Sequence, residues 1–226
     1  MNAFDSATIA GWDDSEEAAN QILDSSNAWY YQEVGDTVTV PSRAEAVAYL
    51  KDVAVGNVTL DSPWNDTKND TAIMAHISAT EEAFMDSCIA VFGAMDLSSY
   101  SYFQAAVAIR DKANALITVW GSKNFGSEPA DGELSRGFLD VAASSADYWK
   151  DRGEEFPIPS YGIVAAVIWM DGIGYVVGWV IAVATELIKT GALDEDNEWQ
   201  RIGTGGQYAF TASMLKYGGI KNPFEK

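Results

Sequence analysis

The sequence predicts an all-α protein, a bundle of six or seven helices forming a single domain over residues 1–226, with an apolar C-terminal helical hairpin buried inside it. Three observations carry that expectation. Apolar residues recur at alternating steps of three and four, as in Phe84, Cys88, Val91 and Met95. The stretch Gly162 to Thr185, GIVAAVIWMDGIGYVVGWVIAVAT, holds one charged side chain, Asp171, and has no polar face, as in a core helix or a membrane span. Within it Gly174, Gly178 and Ala182 fall four apart, and Gly205, Ala209 and Ser213 repeat the spacing downstream. Such small-residue rows let two helix backbones approach closely, so these six residues are the candidate interaction surface.

Taken in order, the chain opens on an arm bearing Phe4, Ile9 and Trp12. Asp14 or Ser15 then caps a helix running to about Gln32, with Ala18, Ile22, Ser26 and Trp29 inward. Thr37 to Val40 reads as a short strand before Pro41, and Ser42 caps a helix carrying Val47, Leu50 and Ala54 that ends at Gly56. Asn57 to Asp70, NVTLDSPWNDTKND, is polar and reads as the longest loop. Its three Asn-x-Thr triplets, at Asn57, Asn65 and Asn69, are glycan acceptors in a secreted chain and ordinary turn residues otherwise.

Asp70 or Thr71 opens a long helix through Met95, and a second follows Ser98 with Tyr102, Ala106, Ile109, Ala113, Leu116 and Trp120 on one stripe. The two are expected to be antiparallel neighbours joined by Asp96 to Ser98. After a loop from Lys123 to Asp131, the stripe Leu134, Phe138, Val141, Ser145 and Trp149 marks a helix. It stops near Gly153 because Pro157 and Pro159 cannot continue it, and residues 153–160 are where the domain would subdivide. In the apolar stretch that follows, Asp171-Gly172 separates two apolar runs and is a type I′ hairpin dipeptide. Helix remains the preferred reading there, kinked or divided at that point. As one helix the stretch spans about 36 Å, enough to cross a bilayer core of roughly 30 Å. Asp171 weighs against a simple span, costing about 2.5–3.5 kcal/mol at the midplane.

Charge excludes some partners. With 33 Asp plus Glu against 14 Lys plus Arg, the net charge is −19, which disfavours nucleic acid and anionic membrane surfaces. The acids are scattered along the chain instead of forming a tail, the pattern of a protein adapted to high salt. A cation-rich setting or a basic partner are the other readings of that charge. The opening MNAFDSATIAGWDDSEE has neither a basic n-region nor an apolar h-region, so the expected location is cytoplasmic by default, with export or a cell-surface place left open.

Chemistry is restricted by composition. Cys88 is the single cysteine and His76 the single histidine, which removes intramolecular disulfides, zinc sites of the HExxH type and di-iron Glu-x-x-His pairs. On one helix the two residues would stand about 120° apart in azimuth and about 18 Å apart along the axis, too far for a dyad. GTGGQYAF from Gly203 lacks the spacing of a phosphate loop. No cofactor is expected: Asp194, Asp196 and Glu198 read first as a solvated helix connection and only second as a weak calcium site, since an EF-hand frame from Asp194 fails at Trp199 and Gly205. Glu82 and Asp86, one turn apart, are expected at the surface. Tyr30, Tyr31, Tyr100, Tyr102, Trp149 and Tyr161 fall near helix ends, placed to line an interface or an apolar ligand pocket.

The glycine-spaced hairpin resembles apolar segments of bacteriocin-like and membrane-inserting proteins, a likeness too general to define a family. The expected function is non-catalytic: a self-associating structural or interaction protein, a homo-oligomer or larger assembly. The alternative is a membrane-active or pore-forming protein that inserts residues 162–185, and a third reading is a binder of an apolar small molecule.

Overall fold

The computed structural model describes residues 48–49, 52, 61–152 and 161–221. Its regular elements are helices: α1 (Ser62–Asn69), α2 (Thr71–Met74), α3 (Ala79–Gly93), α4 (Tyr102–Trp120), α5 (Glu133–Lys150), α6 (Tyr161–Thr190) and α7 (Glu198–Lys221), with a 3₁₀ turn at Glu195–Asn197. The architecture is the expected all-α bundle. The expected N-terminal arm, first helix, strand at Thr37 to Val40 and proline break at Pro157 lie outside the described residues. Ala48, Tyr49 and Asp52 are helical, as expected for the helix after Ser42.

Sequence expectation and structure part at four places. The polar segment at 57–70 is not one long loop, because Ser62–Asn69 winds into α1. Pro63 sits in its first turn, and Trp64 turns inward to 2% exposure, so one buried indole anchors an otherwise polar helix. Tyr49 reaches it from the preceding helix, its hydroxyl donating to Asp66 Oδ2 at 2.8 Å.

The helix expected from Asp70 through Met95 is broken in two. Asp70 caps α2 by accepting from the amides of Ala72 and Ile73, but α2 ends after Met74. Ser78 is extended, and its hydroxyl accepts from Glu81 N at 3.2 Å to start α3. His76, half-buried in the intervening turn, therefore shares no helix with Cys88. Burial pushes the Cys88 thiol up to about 12, which leaves it an unreactive core residue.

The third difference concerns neighbours. Helices α3 and α4 touch only sparsely; α4 packs instead on α5, and α5 on α6. Helix α4 begins with a complete capping box, Ser101 Oγ accepting from Gln104 N and Gln104 Oε1 accepting from Ser101 N.

Last, Asp171-Gly172 does not divide the apolar stretch, and α6 runs unbroken for 30 residues. Gly172 lies against the Phe138 ring, where a Cβ would come within 2.8 Å of the ring edge. Asp171 points into the bundle, where the Ser145 hydroxyl donates to its carboxylate. A glycine costs an exposed helix roughly 1 kcal/mol, and tertiary packing exceeds that here.

Helices α6 and α7 form an antiparallel hairpin whose backbones nearly touch. A Cβ at Gly174 would collide with the Tyr208 carbonyl, and one at Gly178 would stand 2.6 Å from the Thr204 oxygen. Gly174 and Gly178 thus meet the Thr204–Ala209 segment, and Ala182, Gly205, Ala209 and Ser213 are all buried. Val164–Thr190 is long and apolar enough to cross a membrane by length and composition, and 72% of its most apolar stretch is buried in the bundle.

Candidate functional site

Two features stand out: a buried ionic centre that fixes the hairpin, and an aromatic cleft. The ionic centre continues the small-residue rows. Glu186 follows Ala182 by four residues on α6, and Arg201 precedes Gly205 by four on α7, so in an antiparallel pair the two ends meet. Arg201 is 1% exposed. Its Nη1 donates to Glu186 Oε2 at 2.6 Å and to Asp194 O at 3.0 Å. Its Nε and Nη2 grip Glu133 as a fork at 2.8 and 2.5 Å, and Nη2 also donates to Pro129 O at 3.3 Å.

All five guanidinium donors are therefore used within the chain, and none is left for a substrate. The carboxylates are satisfied as well: Trp179 Nε1 donates to Glu133, and Asp194 N and Asn197 Nδ2 donate to Glu186. Burial alone would lower the basicity of Arg201, yet hydrogen bonds and charge from Glu133 and Glu186 hold it above the ordinary arginine value. This centre is a lock. It ties α5, α6, α7 and the acidic turn together.

A second buried acid serves α5. Gly132, the residue before the helix, has φ +85°, and it supplies no side-chain cap. Glu81 of α3 caps from a distance, accepting from Gly132 N at 2.8 Å, Ser135 N at 2.9 Å and Ser135 Oγ at 3.1 Å. Burial nevertheless pushes its carboxyl up to about 7. Asp171, between α5 and α7, is similar: burial raises it to about 7 against hydrogen bonds from Ser145, Ser213 and Trp149.

The cleft has a volume of about 610 Å³ and lies between the start of α1, the end of α3 with the following turn, Phe138 of α5 and the N-terminal half of α6. Its aromatic lining is Trp64, Phe92, Phe138 and Trp169. Phe92 packs edge-on against Trp169, with ring centroids 4.9 Å apart, and against Phe138 at 6.0 Å. Trp64 is fixed by donating from Nε1 to Asp86 Oδ1 at 2.7 Å, and Lys68 pairs with the same oxygen at 2.8 Å. Asp86, expected at the surface, is thereby bonded to both Trp64 and Lys68. Two carboxylates, Asp61 and Asp96, complete the lining, and no Lys, Arg, His or Cys is among the described residues there.

Comparison with protein-family models, with curated proteins and with solved structures finds no match.

Of the residues singled out from sequence, Gly174 lies against Ala209 and Gly178 against Gly205 within one chain, and Ala182 and Ser213 are buried on the same two helices. Asp194, Asp196 and Glu198 are exposed, and Asp194 Oδ1 accepts from Asp196 N at 3.0 Å as the cap of the 3₁₀ turn. Among the described residues no group of three His, Cys, Asp or Glu is arranged to hold a metal ion. Trp149 is buried in the core, whereas Tyr100 is 41% exposed. Sequence reasoning missed Glu81, the Arg201 centre and the cleft. Two signals pointed to the first two: Ser78-x-x-Glu81 at a helix start, and charges at 186 and 201 in register with the small-residue rows.

Proposed function

We propose that the protein is a non-catalytic binding protein that takes an apolar small molecule into the cleft between α1, α3 and α6. The observation that carries this is the cleft itself, about 610 Å³ with four aromatic rings in its lining. Its size lies within the range of about 300–1,000 Å³ of pockets that enclose a small ligand. Its described lining supplies no nucleophile and base in partnership, and the buried Arg201 with Glu133 and Glu186 is committed to structural bonds.

Gly93 provides the test. It lines the cleft, and a Cβ placed there meets nothing within 4 Å, so Gly93→Trp would fill the space without straining the helix. The neutral dye N-phenyl-1-naphthylamine is expected to bind saturably at one site in the native chain and to lose that binding in Gly93→Trp, with helical circular dichroism unchanged. Absence of saturable binding, or equal binding by the plugged variant, would refute the proposal.

Self-association is a second reading, supported by Trp199 at 78% and Ile188 at 60% exposure on either side of the hairpin turn. Light scattering that gives a monomer mass at every salt concentration would remove it.

A further inference from the structure

Resting on the reading of the cleft as a ligand site, we infer that its ligand is a long, unbranched hydrocarbon chain, as carried by a fatty alcohol or an acyl lipid. The cleft follows one face of α6, where Gly162, Ala165, Trp169, Ile173 and Val176 line it at steps of three and four. Val176 stands 14 residues beyond Gly162, so at 1.5 Å per residue the lined stripe is about 21 Å long. An extended hydrocarbon chain advances about 1.25 Å per carbon, from C–C bonds of about 1.5 Å at tetrahedral angles, so about 14–16 carbons span that length.

The stripe begins at the surface and ends inside. Gly162 is exposed, whereas Ile173 and Val176 are 5% and 3% exposed. A chain entering at the first end can therefore run along the helix to the second.

The distribution of polar groups selects the same class. Among the described lining residues the polar side chains are Asp61, Asp96 and Ser98, and all three are exposed. The buried lining side chains are hydrocarbon apart from the indole N–H of Trp64, which is donated to Asp86 at 2.7 Å. A polar group carried to the Val176 end would lose water and find no hydrogen-bond partner among these side chains. An extended peptide is disfavoured on that ground, since each of its residues brings a backbone N–H or C=O. A compact ring system of the same carbon number covers a shorter part of the stripe and leaves the rest of the hydrocarbon wall without contacts. An extended alkyl chain meets both conditions, and any polar head it bears stays at the exposed rim.

Straight-chain 1-alkanols of 8, 10, 12 and 14 carbons, with cyclododecanol as the compact counterpart of 1-dodecanol, test this by equilibrium dialysis against the full chain. One alkanol per protein is expected, tightening about tenfold for every two carbons up to 14. Dodecanol should bind about tenfold more tightly than cyclododecanol, although the two share carbon number and polar group. In Gly93→Trp the dependence on length should be lost. Since the comparison of chain with ring needs no substitution, it decides the matter even if the plugged variant is unstable. A gain that stops at 8 carbons, or cyclododecanol binding as tightly as dodecanol, overturns this inference while leaving the cleft a ligand site. The same dependence on length in a folded Gly93→Trp overturns it too, as adsorption elsewhere. Binding of N-phenyl-1-naphthylamine without binding of any alkanol likewise removes the chain and keeps the cleft, whereas binding of neither overturns the cleft reading itself.

Discussion

Asp171 sits fully inside the protein in the middle of its longest helix, and replacing it with asparagine gives a quantitative test of how that helix is held. Burial raises the carboxyl from 3.8 to about 7, with Ser145, Ser213 and Trp149 opposing the rise. Between those two values the folded chain keeps a proton that the unfolded chain has released. Stability from this group is therefore fully present below the unfolded value and is lost as pH rises through about 7. Between pH 5 and pH 8 the loss is on the order of 2–3 kcal/mol.

In Asp171→Asn the new amide would preserve the shape of the protonated acid and carry no charge at any pH. Urea unfolding followed by tryptophan fluorescence, run on both proteins at the two pH values, isolates the effect because all other acids titrate alike in each. The stability of Asp171→Asn relative to the native chain should improve by roughly 2–3 kcal/mol on moving from pH 5 to pH 8. Parallel pH profiles would refute the reasoning, since they would mean that Asp171 is ionised or solvated in the folded state.

Other consequences follow from the same packing. Arg201→Met leaves Glu133 and Glu186 buried without their partner and should cost about 3–5 kcal/mol in urea unfolding, with much of the loss recovered when both acids become glutamine. Gly174→Ala pushes a methyl group into the Tyr208 carbonyl and should lower stability by about 1–3 kcal/mol, whereas Gly203→Ala, where a Cβ meets nothing within 4 Å, should be neutral or stabilising. Vesicles loaded with a self-quenched dye should retain it from pH 4 to pH 8, because releasing the hairpin would expose the five-bonded Arg201 centre; leakage at acid pH would favour the membrane-active alternative.

Much of the fold was legible because periodicity reports burial directly. The stripes through Leu134 and Phe138, and through Ile109 and Ala113, became the inner faces of α5 and α4. The glycine spacing led to the hairpin because a four-residue row of small side chains has one efficient use, close backbone approach. What periodicity cannot report is where a helix stops or what its polar side chains bond to. The break at Ala75–Ser78 depends on local capping, while Glu81, placed where a capping box would turn it back on its own helix, is spent instead on the distant end of α5. Composition misled at Ser62–Asn69, where one tryptophan outweighed its polar neighbours. The cleft left no local trace, since its walls come from α1, α3, α5 and α6 and meet only in the folded chain.

The central claim, that a rigid apolar hairpin forms one wall of a ligand cleft, is tested most directly by hydrogen exchange on the full chain with and without N-phenyl-1-naphthylamine. Added protection is predicted in peptides covering Asp61 to Trp64, Ile89 to Ser98 and Gly162 to Val176, with none added around Asp194 to Ser213. Protection confined to the acidic turn and α7, or no change anywhere at saturating dye, would contradict it.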